Sequence, residues 1–239
     1  MDATANKQLV GIVIIVICCL GVMPRLSYGG SLDYRHEYKH HTEQHNNRLK
    51  LSYSTSAFYY GGFVKFATEK NPDGSQDAFG RIKAPEAMLD VGTKHKINEQ
   101  WYFRPGIRAG GGKGFHATDL QARLGFNPQG VPLKTYARYR RSIKNYHQSD
   151  KKSTVKNKLT LSLIYSHGAN KLLLKTNVIR AETKPIYHNK KTDYDYSLGY
   201  SRDIQQWQLY LEVAEVSAHS KTATRQARTR VGVKYNFDK

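Results

Sequence analysis

Cysteine is almost missing from this chain: the 239 residues hold two, Cys18 and Cys19, side by side within the one long apolar run. Beyond that run no disulfide and no thiolate metal site can form. The pair also lacks the Leu, small, small, Cys pattern of a lipoprotein signal. Acidic side chains are scarce, 19 against 38 Lys and Arg, giving a formal net charge of +19. Such a surplus attracts polyanions: nucleic acid, anionic headgroups or acidic sugars. Composition nowhere shifts sharply enough to mark a second domain, and after Gly30 no apolar period near 3.6 is sustained.

The apolar run from Val10 to Met23 follows Lys7 and leads to Ser27-Tyr28-Gly29, with small residues at the two positions a signal peptidase reads. It is too short to span a bilayer comfortably as a helix. Residues 1–29 are therefore read as a cleaved signal peptide, with an uncleaved anchor as the other reading, and residues 30–239 as a single barrel domain. Cleavage removes Lys7, Arg25 and Asp2, which lowers the formal charge from +19 to +18. Export makes nucleic acid the least expected polyanion.

What is present instead is period two, in segments of about nine to twelve residues between polar stretches. Leu49, Leu51 and Tyr53 alternate with Arg48, Lys50 and Ser52; Leu120, Ala122 and Leu124 with Gln121 and Arg123; Val231, Val233 and Tyr235 with Arg230, Gly232 and Lys234. One face is apolar and the other often cationic. The pattern predicts strands at 31–38, 48–56, 59–69, 86–97, 101–110, 117–126, 133–144, 156–167, 171–182, 192–203, 207–217 and 226–237, with slips of alternation, read as bulges, in the third and ninth. Tight links are expected at 57–58, 98–100, 127–132, 168–170 and 204–206, and longer ones at 39–47, 70–85, 111–116, 145–155, 183–191 and 218–225. This describes an all-β, antiparallel transmembrane barrel of about 12 strands with both termini in the periplasm. A soluble sandwich also alternates, but Tyr and Trp gather near segment ends, as in interfacial girdles.

On the polar face alternation places Arg35, Arg48, Lys50, Arg104, Arg108, Arg123, Arg138, Arg140, Lys158, Arg228 and Arg230, with Asp33, Glu37 and Glu212 among fewer acids. Guanidinium groups grip carboxylates through paired hydrogen bonds and stay charged, so a surplus along a pore offers a carboxylated sugar successive weak sites. Tyr102, Tyr136 and Tyr210 offer rings for sugar faces. The blander reading is that these cations only pair with lumen acids and hold the barrel's shape.

Other motifs lose to context. His36-Glu37-Tyr38-Lys39-His40 matches the zinc-peptidase pattern, but it sits on an alternating strand rather than a helix, so no metal site and no cofactor is expected. His40, His41 and His45 read as a solvated loop. Gly110 to Gly114 lacks the earlier Gly and the Ser or Thr of a phosphate loop and reads as a flexible link. Tyr136 to Arg141 interleaves aromatics and arginines as a nucleic-acid surface does, yet on an exported strand it is read as pore lining. The last strand, Arg230 to Phe237, fits the signal read by the outer-membrane assembly machinery, except that Asp238-Lys239 follow its final aromatic.

Ser31 to Glu37 resembles the opening strand of the oligogalacturonate-specific monomeric porins (KdgM-type outer-membrane channels), whose relatives include a sialic-acid channel. Arg48-Leu49-Lys50, Trp101 to Gly106, Ala137 to Arg140, and Arg225-Gln226 with Arg230 to Val233 resemble further strands of that family. The resemblance implies a monomeric twelve-stranded channel for acidic oligosaccharides in the bacterial outer membrane, in contact with its lipid, with Arg35, Arg48, Lys50, Arg104, Arg138, Arg140 and Arg230 at matching lumen positions. Rival readings are a barrel enzyme of the lipase or lipid A hydrolase type, and an adhesive barrel with a plugged, charge-balanced lumen.

Overall fold

The computed structural model describes residues 29–69, 71, 76–79, 82–148 and 150–237; the expected signal peptide and Asp238-Lys239 lie outside them. Twelve long strands follow one another: β1 (Gly30–Lys39), β2 (Gln44–Ser54), β3 (Phe58–Thr68), β4 (Ile82–Thr93), β5 (Trp101–Gly112), β6 (Phe115–Phe126), β7 (Leu133–Tyr146), β8 (Thr154–His167), β9 (Asn170–Ala181), β10 (Thr192–Ile204), β11 (Trp207–Ser217) and β12 (Arg225–Asn236). A two-residue piece, His95–Lys96, continues the β4 edge against β5. Each strand pairs antiparallel with the next, and β1 pairs with β12 from Ser31↔Asn236 to Lys39↔Arg228, closing the sheet into a barrel.

Burial is inverted relative to a water-soluble protein. Leu89 and Leu198 are 61% and 56% exposed, while Glu37, Asp119, Asp195, Asn177 and Glu212 are buried. A β-sandwich would bury its apolar face between two sheets. Here that face is turned outward around the whole wall, which only a hydrocarbon surround makes favourable. At the rim where β1 begins and β12 ends, an aromatic chain runs Tyr60, Tyr53, Phe237, Tyr235, Trp207, with ring centroids 4.8–6.0 Å apart.

Several expected boundaries move. The link at 39–47 contracts to a turn at 40–43, with Glu43 at φ 48°. His45 therefore lies in β2 opposite Tyr38, not in a loop, and its imidazole sits 3.1 Å from that of His36. The link at 111–116 contracts to Lys113-Gly114, with Gly114 at φ 80°. Gly110 to Gly112 is thus not a flexible link but the end of β5, where a Cβ on Gly110 would strike the Ala87 carbonyl of β4. The link at 98–100 lengthens to Lys94–Gln100 around the His95–Lys96 extension. The slip anticipated in the third strand is real: register against β4 shifts between Lys65 and Ala67. The one anticipated in the ninth is absent, since β9 keeps register throughout and only places apolar Leu173 and Ile179 on the inner face.

Gly110→Val should lower unfolding free energy in urea-treated vesicles by about 2 kcal/mol, because the strike is against backbone. Gly199→Ala, whose new methyl would meet nothing nearer than Leu173 Cβ at 3.4 Å, should leave the midpoint in place.

Candidate functional site

All eleven cations and the three acids expected to line the lumen lie on the face opposite the exposed apolar side chains. Register shows why: Arg35 faces Arg48, Asp33 faces Lys50, Arg104 faces Arg123, Arg123 faces Arg138, Arg140 faces Lys158, and Glu37 and Glu212 both face Arg230. The zinc-peptidase match dissolves on the same ground. His36 points outward, where Asn47 Oδ1 lies 2.9 Å from its Nδ1, while Glu37 points inward.

Around the closing seam most of the cations are paired with acids. Arg230 donates to Glu37 at 2.7 Å and to Glu212 at 2.6 Å, and Lys175 reaches Glu212 at 2.6 Å. Arg228 joins the same carboxylates at 3.4 and 3.9 Å. Beside them Arg48 donates to Asp33 at 2.6 Å, and the Tyr210 hydroxyl donates to the other Asp33 oxygen at 2.7 Å. Further round, Asp119 accepts from Arg108 and lies 3.9 Å from Arg140, while Lys158 lies 3.7 Å from Asp195.

Five of the expected cations have no acid within ion-pair distance among the described residues: Arg35, Lys50, Arg104, Arg123 and Arg138. Three of them, Arg104, Arg123 and Arg138, stand side by side on β5, β6 and β7 in a single cross-strand row. Aromatic faces support this row. The Arg104 guanidinium lies 4.2 Å from the Tyr59 ring centroid and that of Arg123 4.5 Å from Tyr136. Cation–π contact holds such a group without cancelling its charge. Along the row the cations then stop, with Thr160 donating to Asn177 at 2.6 Å and Asn177 donating to the Asp195 carboxylate.

Sequence reasoning missed Asp119 and Tyr59. Asp119 shares the parity of Gln121 and Arg123, so the signal was there. Tyr59 lies in β3, whose alternation is blurred by the glycines at 61 and 62.

The family model of the oligogalacturonate-specific porin protein (KdgM) matches residues 26–237. The chain belongs to this family. It is 26% identical over 229 residues to the oligogalacturonate-specific porin KdgM of Dickeya dadantii (strain 3937), covering 87% of this chain and 91% of that one. The uncharacterized protein YiiY of Salmonella typhimurium is 22% identical over 208 residues, 86% of this chain and 89% of its own. Among solved structures, a NanC porin superposes with TM-score 0.70 at 16% identity, over 85% of this chain and 98% of its own. A KdgM porin gives 0.62 at 21% identity, over 86% and 98%. These two share the fold. The protein is thus an outer-membrane porin, and its family is one of channels rather than enzymes.

Glu212→Gln would leave Lys175 with no acid within ion-pair distance among the described residues, and Arg228 and Arg230 with Glu37 alone. Breaking so buried a network should lower this porin's unfolding free energy by about 3 kcal/mol and move its reversal potential toward stronger anion selectivity. An unchanged urea midpoint would show that these pairs carry no stability.

Proposed function

We propose that this porin passes acidic oligosaccharides such as oligogalacturonates, which it binds weakly on the cations its own acids leave unpaired. The row Arg104, Arg123, Arg138 carries the reading: three adjacent guanidinium groups with no acid of their own present paired donors to a carboxylated chain. Arg35 and Lys50 offer a second such patch on the β1–β2 wall. The remaining expected contacts, Arg48, Arg108, Arg140, Lys158, Arg228 and Arg230, lend their free N–H edges while their acids hold them in place. Support also comes from a related structure, a KdgM porin in complex with disordered oligogalacturonate.

A lumen whose charges balanced would suit a plugged, adhesive barrel; five cations without acids argue for solute passage. No catalytic step is assigned. The chain acts as a monomer with residues 1–29 removed, inserted by the outer-membrane assembly machinery into lipid, both termini in the periplasm.

The test is conductance in planar bilayers, with trigalacturonate and neutral maltotriose as blockers. Anion-selective steps blocked only by the acidic sugar are expected. In the triple variant Arg104→Gln, Arg123→Gln, Arg138→Gln the block should weaken at least tenfold, since each charged hydrogen-bonded contact contributes about 1.5 kcal/mol or more. Equal block by maltotriose, or block unchanged in the triple variant, would overturn the assignment.

A further inference from the structure

The outer wall carries a cationic site of its own, away from the lumen. On the lipid-facing side of β7 to β10, one cross-strand row is apolar: Tyr139, Leu159, Val178 and Tyr194, each 39–48% exposed. The next row toward the rim opposite the start of β1 is polar: Arg141, Asn157, Arg180 and Thr192. The outward stripe of β9 thus reads Leu172, Leu174, Thr176, Val178 and then Arg180, so an arginine stands where the apolar belt stops.

The groups in this row are ordered. Tyr139 donates from its hydroxyl to Asn157 Oδ1 at 2.7 Å, and the Asn157 amide donates to Glu182 at 2.8 Å. Arg141 grips both oxygens of Glu182, at 2.8 and 3.2 Å. Lys191 donates to the Glu182 backbone carbonyl at 2.8 Å. The Asn157 amide first, and Arg141 with it, hold the Glu182 carboxyl below the usual carboxylate range, so it is ionised and spent on Arg141. Arg180 is exposed and has no hydrogen bond or ion pair to any described residue. Three cations therefore share one carboxylate.

We infer that Arg180, flanked by Arg141 and Lys191, docks the phosphate of a lipid headgroup in the leaflet around this rim. A charged side chain beside hydrocarbon is costly unless an opposite charge or water meets it. A headgroup phosphate sits at the depth where the apolar row ends, and a guanidinium fork matches its oxygens. The rings of Tyr139 and Tyr194 lie one row deeper, level with the start of the acyl chains. The inference rests on the membrane-spanning fold, not on which solute the lumen carries.

The full mature chain, refolded into phosphatidylcholine bilayers, would be titrated with spin-labelled phosphatidic acid and, separately, spin-labelled phosphatidylcholine. The fraction of immobilised label gives the relative association constant. A preference of several-fold for phosphatidic acid is expected. It should fall about fivefold in Arg180→Gln, matching about 1 kcal/mol per arginine at a membrane surface, with single-channel conductance unchanged. It should also collapse in 1 M salt for the unaltered protein. Absence of any preference, its persistence in Arg180→Gln, or its persistence in 1 M salt would overturn the site. Competition by millimolar inorganic phosphate would assign it to a free anion instead and overturn lipid docking.

Discussion

Hydrocarbon offers no partner to a peptide N–H or C=O, so a strand that crosses it has to be paired along both edges. In this chain that requirement falls on the β1–β12 register, where the first and last strands meet from Ser31 to Lys39 of β1. Closure also settles which face looks where. A slip of one residue at the seam would turn one of the two strands over, carrying either Leu32 and Tyr34 into the lumen with Arg35 and Glu37 in lipid, or Val231 and Val233 into the lumen with Arg230 in lipid. The seam is accordingly where the densest network of paired charges lies, although Arg35 on β1 has no acid of its own. Glu37 from β1 meets Arg230 from β12, and Glu212 from β11 meets it from the other side.

That pairing divides the lumen by function. Apart from Arg35, the expected cations of β1 and β12 are tied to carboxylates and contribute to register as much as to the field inside. On β5 to β7 Arg104, Arg123 and Arg138 are not tied, although Arg108 and Arg140 share Asp119, and the wall they share is joined by neighbour-to-neighbour hairpins that need no charge to set their register. Lys113-Gly114 and the six-residue link at 127–132 already do so. Positive surplus can therefore accumulate there at no cost to closure.

Much of this was legible because period two is insensitive to detail. Every one of the fourteen lumen residues could be assigned to a face from its neighbours alone, and the strand count followed from how often the pattern recurred. Turn lengths were less legible. Polar residues such as Gln44 to Asn47 look like loop in a string of letters, yet they continue β2 past the apolar belt, where outward positions no longer need to be apolar. The glycines at 110 and 111 misled for a different reason: Gly110 lies close against the β4 backbone and Gly111 against that of β6, and space that a neighbour needs leaves no signal in composition. Pairing was not legible at all. Alternation says that Arg123 and Arg140 both face inward, but only register puts Arg140 within reach of Asp119 and leaves Arg123 beside other arginines.

Conduction sets a limit on how such arginines are held. A site that binds an acidic solute too tightly stops transport, so the lumen needs cations that are fixed in place and still attract. Carboxylate partners fix a guanidinium but cancel its charge. Aromatic faces, as Tyr59 gives Arg104 and Tyr136 gives Arg123, fix it and leave the charge outward. Mutual repulsion along the Arg104, Arg123, Arg138 row raises the free energy of the empty pore there, and a passing carboxylate relieves it. On the proposed function, once that carboxylate moves on the same row is available to the next one along the solute chain, which favours polyanionic oligomers over single acids.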